Sequence, residues 1–329
     1  VYAALGSGAL SFVVGTHALL SEGVTFQRLG LVITDEQHRF GVEQRSALAA
    51  KANPAGAARP HVLVMSATPI PRTLALIIYG DLDVSVIDEL PPGRMPVRTL
   101  LVGESKRRRM YGFVREQVRA GRQVYIVCPA VEENPGSEWD LKAVNEYARV
   151  LREEVFPEFR VGLVHGKLKA REKEAPMAAF TAGETDILVC TTVIEVGVDV
   201  PNANLIIIEN ADRYGLSQLH QLRGRVGRGA HQSWCVLVSD NRNPETRARL
   251  KVLTDTRDGF KIAEEDLKLR GPGDFFGARQ HGLPVLRVAD FNTDARVLKE
   301  AQDAAAELLA GDPALALPIP RPLLEKVRG

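Results

Sequence analysis

The sequence predicts an α/β protein with two parallel-sheet lobes, the first of them incomplete, followed by a helical C-terminal region. Three observations carry this. Short runs of β-branched and apolar residues recur, amphipathic helical stretches separate several of them, and one proline-rich break interrupts the alternation. Near-continuous apolar strands belong to parallel sheets buried on both faces.

LGLVIT (Leu29–Thr34) and HVLVMS (His61–Ser66) are the strands of the first lobe. ELPPGRMP (Glu89–Pro96) breaks the pattern and reads as a linker. Five more strand candidates follow: VYIVCPA from Val124, VGLVHG from Val161, DILVCTT from Asp186, NLIIIEN from Asn204 and WCVLVS from Trp234. Helical patterns run from Lys106 to Ala120, from Asp140 to Val155 and from Lys167 to Thr181. Beyond Pro244 no strand run remains. That region reads as a helix, a glycine-rich turn, a final helix (Asp294–Ala310) and a proline-punctuated tail. The expected layout is a first lobe at 1–90, a linker at 91–98, a second lobe at 99–243 and the helical region at 244–329.

The 329 residues suit two domains, and 45% hydrophobic with 25% charged residues is ordinary globular composition. A net charge of +1 supplies no global field for nucleic acid, so any such binding needs a local basic stripe. No apolar run approaches the roughly 18 residues of a membrane span, and no signal peptide is present. Cys128, Cys190 and Cys235 are far apart and read as reduced core residues in a reducing compartment. The chain begins at Val1 without Met and is read as a fragment.

The sharpest chemistry lies in QLRGRVGRG, Gln221 to Gly229. Arg225 and Arg228 are framed by glycines, and guanidinium forks fit phosphate oxygens. Asp35 and Glu36 follow a strand, where ligands of parallel sheets bind. Asp35 there suits Mg²⁺, and Glu36 suits the water that attacks a γ-phosphate. Ser66 and Thr68 in SATPIPRT offer hydroxyls to relay nucleotide state, and also a helix N-cap. Gly15, Thr16 and His17 in VVGTHALL suit a phosphodiester backbone. Thr191 and Thr192 suit phosphates as well, while Gly197 and Asp199 supply a loop carboxylate. KRRR (Lys106–Arg109) reads either as a solvated helix face or as a phosphate contact.

Together GTHAL, DEQHRFGV, SATPIPRT, PPGR, His165-Gly166, TTVIEVGVDVPNA and QLHQLRGRVGRG resemble the superfamily-two helicases, and within them the RecG family. DEQHRFGVEQR (Asp35–Arg45) and DGFKIAEEDLKLRGPGDFFGARQHGLP (Asp258–Pro284) are the most specific runs, the second resembling a translocation motif. That motif is shared with the transcription-repair coupling factor, which more usually reads DEEQRFGV. The resemblance implies two RecA-like lobes, a C-terminal helical hairpin and helix, ATP and Mg²⁺ as cofactors, and branched double-stranded DNA (forks, Holliday junctions) as partner. It further implies a monomer in the bacterial cytoplasm, working at the nucleoid, with single-stranded DNA-binding protein as a further partner. Asp35 and Glu36 become the Mg·ATP residues, and Gln221, Arg225 and Arg228 the last helicase motif. His38 couples ATP state to the second lobe, and Arg249, Arg270 and Gln280 serve translocation. The carboxylates and guanidiniums are expected to close on one ATP. No G-x-x-x-x-G-K-[ST] phosphate loop occurs. That loop and the family's wedge domain are expected upstream of GTHAL, so the isolated chain is expected to be inactive. The alternatives are a non-catalytic DNA-binding fragment and the coupling-factor motor.

Overall fold

The computed structural model describes residues 1–21, 23–36, 60–66, 83–87, 89, 91, 93–129, 138–191, 199–270 and 295–313. The chain divides into two compact units, Val1–Pro69 and Ile70–Gly329.

In the first unit a short helix α1 (Tyr2–Gly6) and a 3-10 turn (His17–Leu20) precede two strands. Strands β1 (Leu31–Thr34) and β2 (His61–Val64) run parallel, in register from Leu31 opposite His61 to Thr34 opposite Val64. The Met65 N–H donates to the Thr34 carbonyl at 2.8 Å, which extends the pairing one residue past both strands. The residues that follow β1 and β2 therefore share one edge.

The second unit holds a six-stranded sheet: β3 (Arg98–Val102), β4 (Gln123–Val127), β5 (Val161–Val164), β6 (Ile187–Cys190), β7 (Ala203–Ile208) and β8 (Trp234–Val238), in the order β3-β8-β7-β4-β6-β5. Every pairing in it is parallel. Side chains alternate between two cores, as a period of two requires. One face carries Tyr125, Val127, Leu188, Cys190, Ile206, Ile208 and Leu237. The other carries Val124, Ile126, Ile187, Val189, Leu205, Ile207 and Val236.

Helices cover both faces. On the second face lie α2 (Arg107–Arg119), through Met110, Val114 and Val118, and α3 (Glu138–Val150), through Val144 and Ala148. A wider π-type turn, Leu151–Val155, continues α3. On the first face lie α4 (Ala170–Thr181), through Phe180, and α5 (Leu216–Arg223), through Leu216, Leu219 and Leu222. Each helix falls close to its expected span except α5, which the sequence reading passed over.

Where the local pattern after Pro244 gives one helix there are two, α6 (Pro244–Asp255) and α7 (Gly259–Arg270), the hairpin that the resemblance implies. Asp258 makes the break, because its Oδ1 accepts from the Phe260 amide at 2.9 Å and so caps α7. The hairpin is not an appendage. Leu250, Leu253 and Ile262 join the core of the first sheet face. A last helix, α8 (Ala295–Gly311), matches expectation within one residue at each end. Among the described residues no helix is long and apolar enough to cross a membrane.

All three cysteines are buried and free, as the sequence suggests. Burial pushes the Cys128 and Cys235 thiols up to about 12, and Cys190 well above its ordinary value.

The basic run Lys106–Arg109 resolves into two roles. Arg108 and Arg109 are exposed. Arg107 turns inward, and its two Nη groups meet the Glu209 oxygens at 2.6 and 2.8 Å. Tyr147 donates to Glu209 at 2.7 Å, and Glu104 flanks the guanidinium. The hydrogen bonds to Glu209 hold the Arg107 pKa above its ordinary range despite partial burial. Glu209 follows β7 and is only 7% exposed, so this ion pair ties α2 and α3 to the centre of the sheet. Breaking one side of a buried pair typically costs about 3–5 kcal/mol, whereas exposed pairs contribute about 0–1 kcal/mol. Glu209→Ala is expected to lower the stability of the second unit by about 2–4 kcal/mol and Glu104→Ala by less than about 1 kcal/mol. Urea unfolding followed by fluorescence reads this directly, since both tryptophans, Trp139 and Trp234, lie in the second unit.

Candidate functional site

In the first unit Asp35 and Glu36 follow β1, and Ser66 lies past β2 at the same edge. The Glu36 amide donates to Asp35 Oδ1 at 2.8 Å, which fixes an exposed carboxylate at the strand end. Glu36 has φ of +51°, the left-handed region. A non-glycine residue there costs about 1–3 kcal/mol, and such strain collects at functional sites. Thr16 caps the 3-10 turn, with Oγ1 accepting from the Ala18 amide, and Gly15 precedes it. His17 opens that turn.

In the second unit the sequence-selected residues separate into two edges. Thr191 directly follows β6 and is buried at the carboxyl edge, with its amide donating to the Val164 carbonyl at 3.3 Å. His165 follows β5 at that edge, and its Nδ1 is buried without a hydrogen-bond partner among the described residues. Burial and the Lys173 charge lower its pKa.

Asp199, Arg225 and Arg228 lie at the opposite, amino edge. Helix α5 lies between β7 and the arginines and returns the chain across the sheet. Gln221 lies in the last turn of α5, and Arg225 follows immediately, its amide donating to the Leu222 carbonyl at 3.0 Å. Arg228 is braced by its own loop, with Nε donating to the Gly224 carbonyl at 3.3 Å and Nη1 3.4 Å from Asp199 Oδ1. Gly229 is obligatory in this loop: a Cβ there would stand 2.2 Å from the Pro201 carbonyl oxygen. Asp199, Arg228 and Gly229 line a recess of about 420 Å³ together with Pro91, Gly93 and Arg94. Two guanidiniums and one carboxylate at its wall suit an anionic ligand with a polar neighbour.

Arg249 lies on α6, and its guanidinium donates to the Asp212 and Tyr214 carbonyls, both at 2.6 Å. It anchors the hairpin to the corner between β7 and α5. Arg270 is the last residue of α7. His38, Thr68, Thr192, Gly197 and Gln280, and the side chains of His17 and Arg270, lie outside the described residues.

The residue that sequence reasoning missed is Arg223. It is 5% exposed, and Nη1 donates to the carbonyls of Leu253 at 2.9 Å and Thr256 at 3.1 Å, at the C-terminal end of α6. A cation there satisfies orphan carbonyls and meets the negative end of the helix. Nη2 donates to His220 Nδ1 at 2.9 Å, so the imidazole is neutral. Its place among Leu216, Leu219 and Leu222 on the inward face of α5 was the available signal. Arg223 therefore joins the arginine loop to the hairpin.

Burial first, then the Arg223 charge, pushes the His220 pKa down to about 4, against the opposing pull of Asp258. Between pH 6.5 and 4 the unfolded chain binds a proton that the folded imidazole refuses. Stability contributed by this group is thus complete above pH 6.5 and falls as pH drops towards 4, by up to about 3 kcal/mol. His220→Gln is expected to flatten that part of the pH dependence, measured as the difference in urea midpoints between wild type and variant at pH 7 and pH 4.5.

Three family models match the chain in order. DEAD/DEAH box helicase covers residues 2–77, helicase conserved C-terminal domain covers 105–230, and the C-terminal part of domain 3 of the ATP-dependent DNA helicase RecG covers 256–328. The RecG helicase of Synechocystis sp. is 55% identical over 315 residues, which is 96% of this chain and 37% of the relative. RecG of Thermotoga maritima is 52% identical, over 92% of this chain and 38% of the relative. RecG of Escherichia coli O157:H7 is 51% identical, over 93% and 44%. A solved structure of RecG bound to a three-way DNA junction superposes with a TM-score of 0.68 at 48% identity, covering 91% of this chain and 37% of that one. The chain thus spans about two-fifths of the length of these relatives. The parallel α/β architecture is that of RecA-like helicase lobes. Over more than nine-tenths of its length, this chain is a homologue of the ATP-dependent DNA helicase RecG.

Proposed function

We propose that these residues form motor parts of an ATP-dependent DNA helicase that remodels branched DNA, regressing forks and migrating Holliday junctions. The observation that carries this is half identity, sustained over nine-tenths of the chain, to proteins of that name, one of them solved on a three-way junction. The lobes are read as 1–90 and 99–243, joined through 91–98, with the helical region from 244. The motor works as a monomer at the bacterial nucleoid, with single-stranded DNA-binding protein as a further partner.

The side chains suit the chemistry. Asp35 presents hard carboxylate oxygens, the donors Mg²⁺ prefers, at the end of a parallel strand. Bound with ATP, that ion would neutralise charge on the β- and γ-phosphates. Glu36 orients and deprotonates the attacking water. Ser66, Thr68, His38, Gly197 and Gln221 relay nucleotide state. Arg225 and Arg228 stabilise charge developing on the transferred phosphoryl group. Gly15, Thr16, His17, Thr191 and Thr192 meet the DNA backbone. Arg249 holds the hairpin, while Arg270 and Gln280 convert closure into movement along the duplex.

A chimaera carrying these 329 residues in place of the matching stretch of Thermotoga maritima RecG tests the reading. It is expected to hydrolyse ATP in response to fork DNA, and Glu36→Gln is expected to retain ATP binding within about threefold while hydrolysis falls by about 10²–10⁴. Steady-state hydrolysis comparable to wild type in that variant would sink the assignment of Glu36. Arg270→Ala is expected to reduce fork unwinding more than DNA-stimulated hydrolysis, read in parallel assays. Equal losses of both would remove its transmission role.

A further inference from the structure

The proline-rich stretch before β3 reads in the sequence as a passive linker, yet it is fastened along the arginine loop. Gly93 has φ of +79°, and the Arg94 amide donates to the Pro91 carbonyl at 3.2 Å, a tight reversal that requires glycine at its third position. This turn aims Arg94 at the loop, where Nε donates to the Gly227 carbonyl at 3.1 Å across 133 residues of sequence. Further contacts follow in order. Gln232 Nε2 donates to the Pro96 carbonyl at 2.9 Å, and the Arg98 amide donates to the Ser233 carbonyl at 2.9 Å. Gly227 packs so closely on Val97 that a Cβ would stand 2.7 Å from its Cγ2. Residues 94–98 and 227–233 thus lie zipped together, with Arg228 beside the contact at Gly227.

A loop built as RGRVGRG has little rigidity of its own, because glycine retains the most backbone freedom. An arginine that stabilises developing charge must be held in place beforehand. Within the loop Arg228 Nε donates to the Gly224 carbonyl at 3.3 Å, and Arg94 adds a hold from outside, next to Arg228. Arg94 also lines the recess shared by Arg228 and Asp199.

We propose that Arg94 is a positioning residue for the Arg225–Arg228 loop, fixing Arg228 through the Gly227 carbonyl so that its guanidinium meets the phosphates of a nucleoside triphosphate. This rests on the motor reading above. In the chimaera, Arg94→Ala is expected to lower kcat for DNA-stimulated ATP hydrolysis by about 10–100-fold, the loss typical of a misplaced group, while KM for ATP moves less than about threefold. The Arg94→Ala, Arg228→Ala double variant is expected to be no slower than Arg228→Ala alone, since the first residue acts through the second. Multiplying losses would overturn the proposal. So would a raised KM with kcat intact. Gln232→Ala breaks a neighbouring contact of the same zipper without touching Arg94 and carries the test should Arg94→Ala fail to fold. A loss of about 3–10-fold in kcat is expected there, and an unchanged kcat would count against the proposal. Amide exchange on the 329-residue chain is independent of hydrolysis. Arg94→Ala is expected to speed exchange at Arg228–Gln232 and leave β4 and β7 unchanged, and an unaltered loop would sink the clamp. An inactive wild-type chimaera would instead sink the helicase reading while the exchange result still stood.

Discussion

Every strand pair described in this chain runs parallel, and that single constraint distributes the chemistry. A parallel strand must be followed by a return across the sheet, so consecutive motifs alternate between the two edges. Thr191 leaves β6 at the carboxyl edge, and Asp199 arrives before β7 at the amino edge. Asp212 and Tyr214 leave β7 at the carboxyl edge, and α5 carries the chain back to Arg225 and Arg228. One continuous sequence motif therefore serves two places.

Tethers make that distribution rigid. Arg107 and Glu209 tie the helices of one face to the middle of the sheet. Arg223 and Arg249 do the same on the other side, holding the helical hairpin through backbone carbonyls. A guanidinium suits this work because its rigid fork satisfies several carbonyls while its charge offsets helix ends. The arginine loop is the exception. Its glycines leave it compliant, and its shape comes from residues on either side: Pro201 beneath Gly229 and the Arg94 turn at Gly227. In the first unit Glu36 stands in the left-handed backbone region, with φ of +51°.

Much of the architecture was legible without coordinates. Strand runs, both lobes' parallel character, the buried free cysteines and the last helix follow from periodicity and β-branched content, which are local properties. The motif residues were legible for the same reason, since each stands in a short, distinctive string. Less legible was anything that depended on what a segment packs against. TRDG carries a helix cap, yet the local pattern gives one helix where Asp258 makes two, and the hairpin follows only from the resemblance. KRRR was left between two readings because no local signal distinguishes Arg107 from its exposed neighbours. Arg223 stands beside two glycine-framed arginines, and only its place on the apolar face of α5 sets it apart.

By itself, then, the sequence determined the order of elements, the two sheet faces and the identity of the charged groups, because spacing along the chain controls which side chains share a face. Tertiary structure alone decided which arginines serve as struts. Arg94, Arg107, Arg223 and Arg249 carry the same charge as Arg225 and Arg228. Each of the first four meets a carbonyl or carboxylate that folding brings within about 3 Å, from as far as 133 positions away. Local composition holds no record of partners that distant.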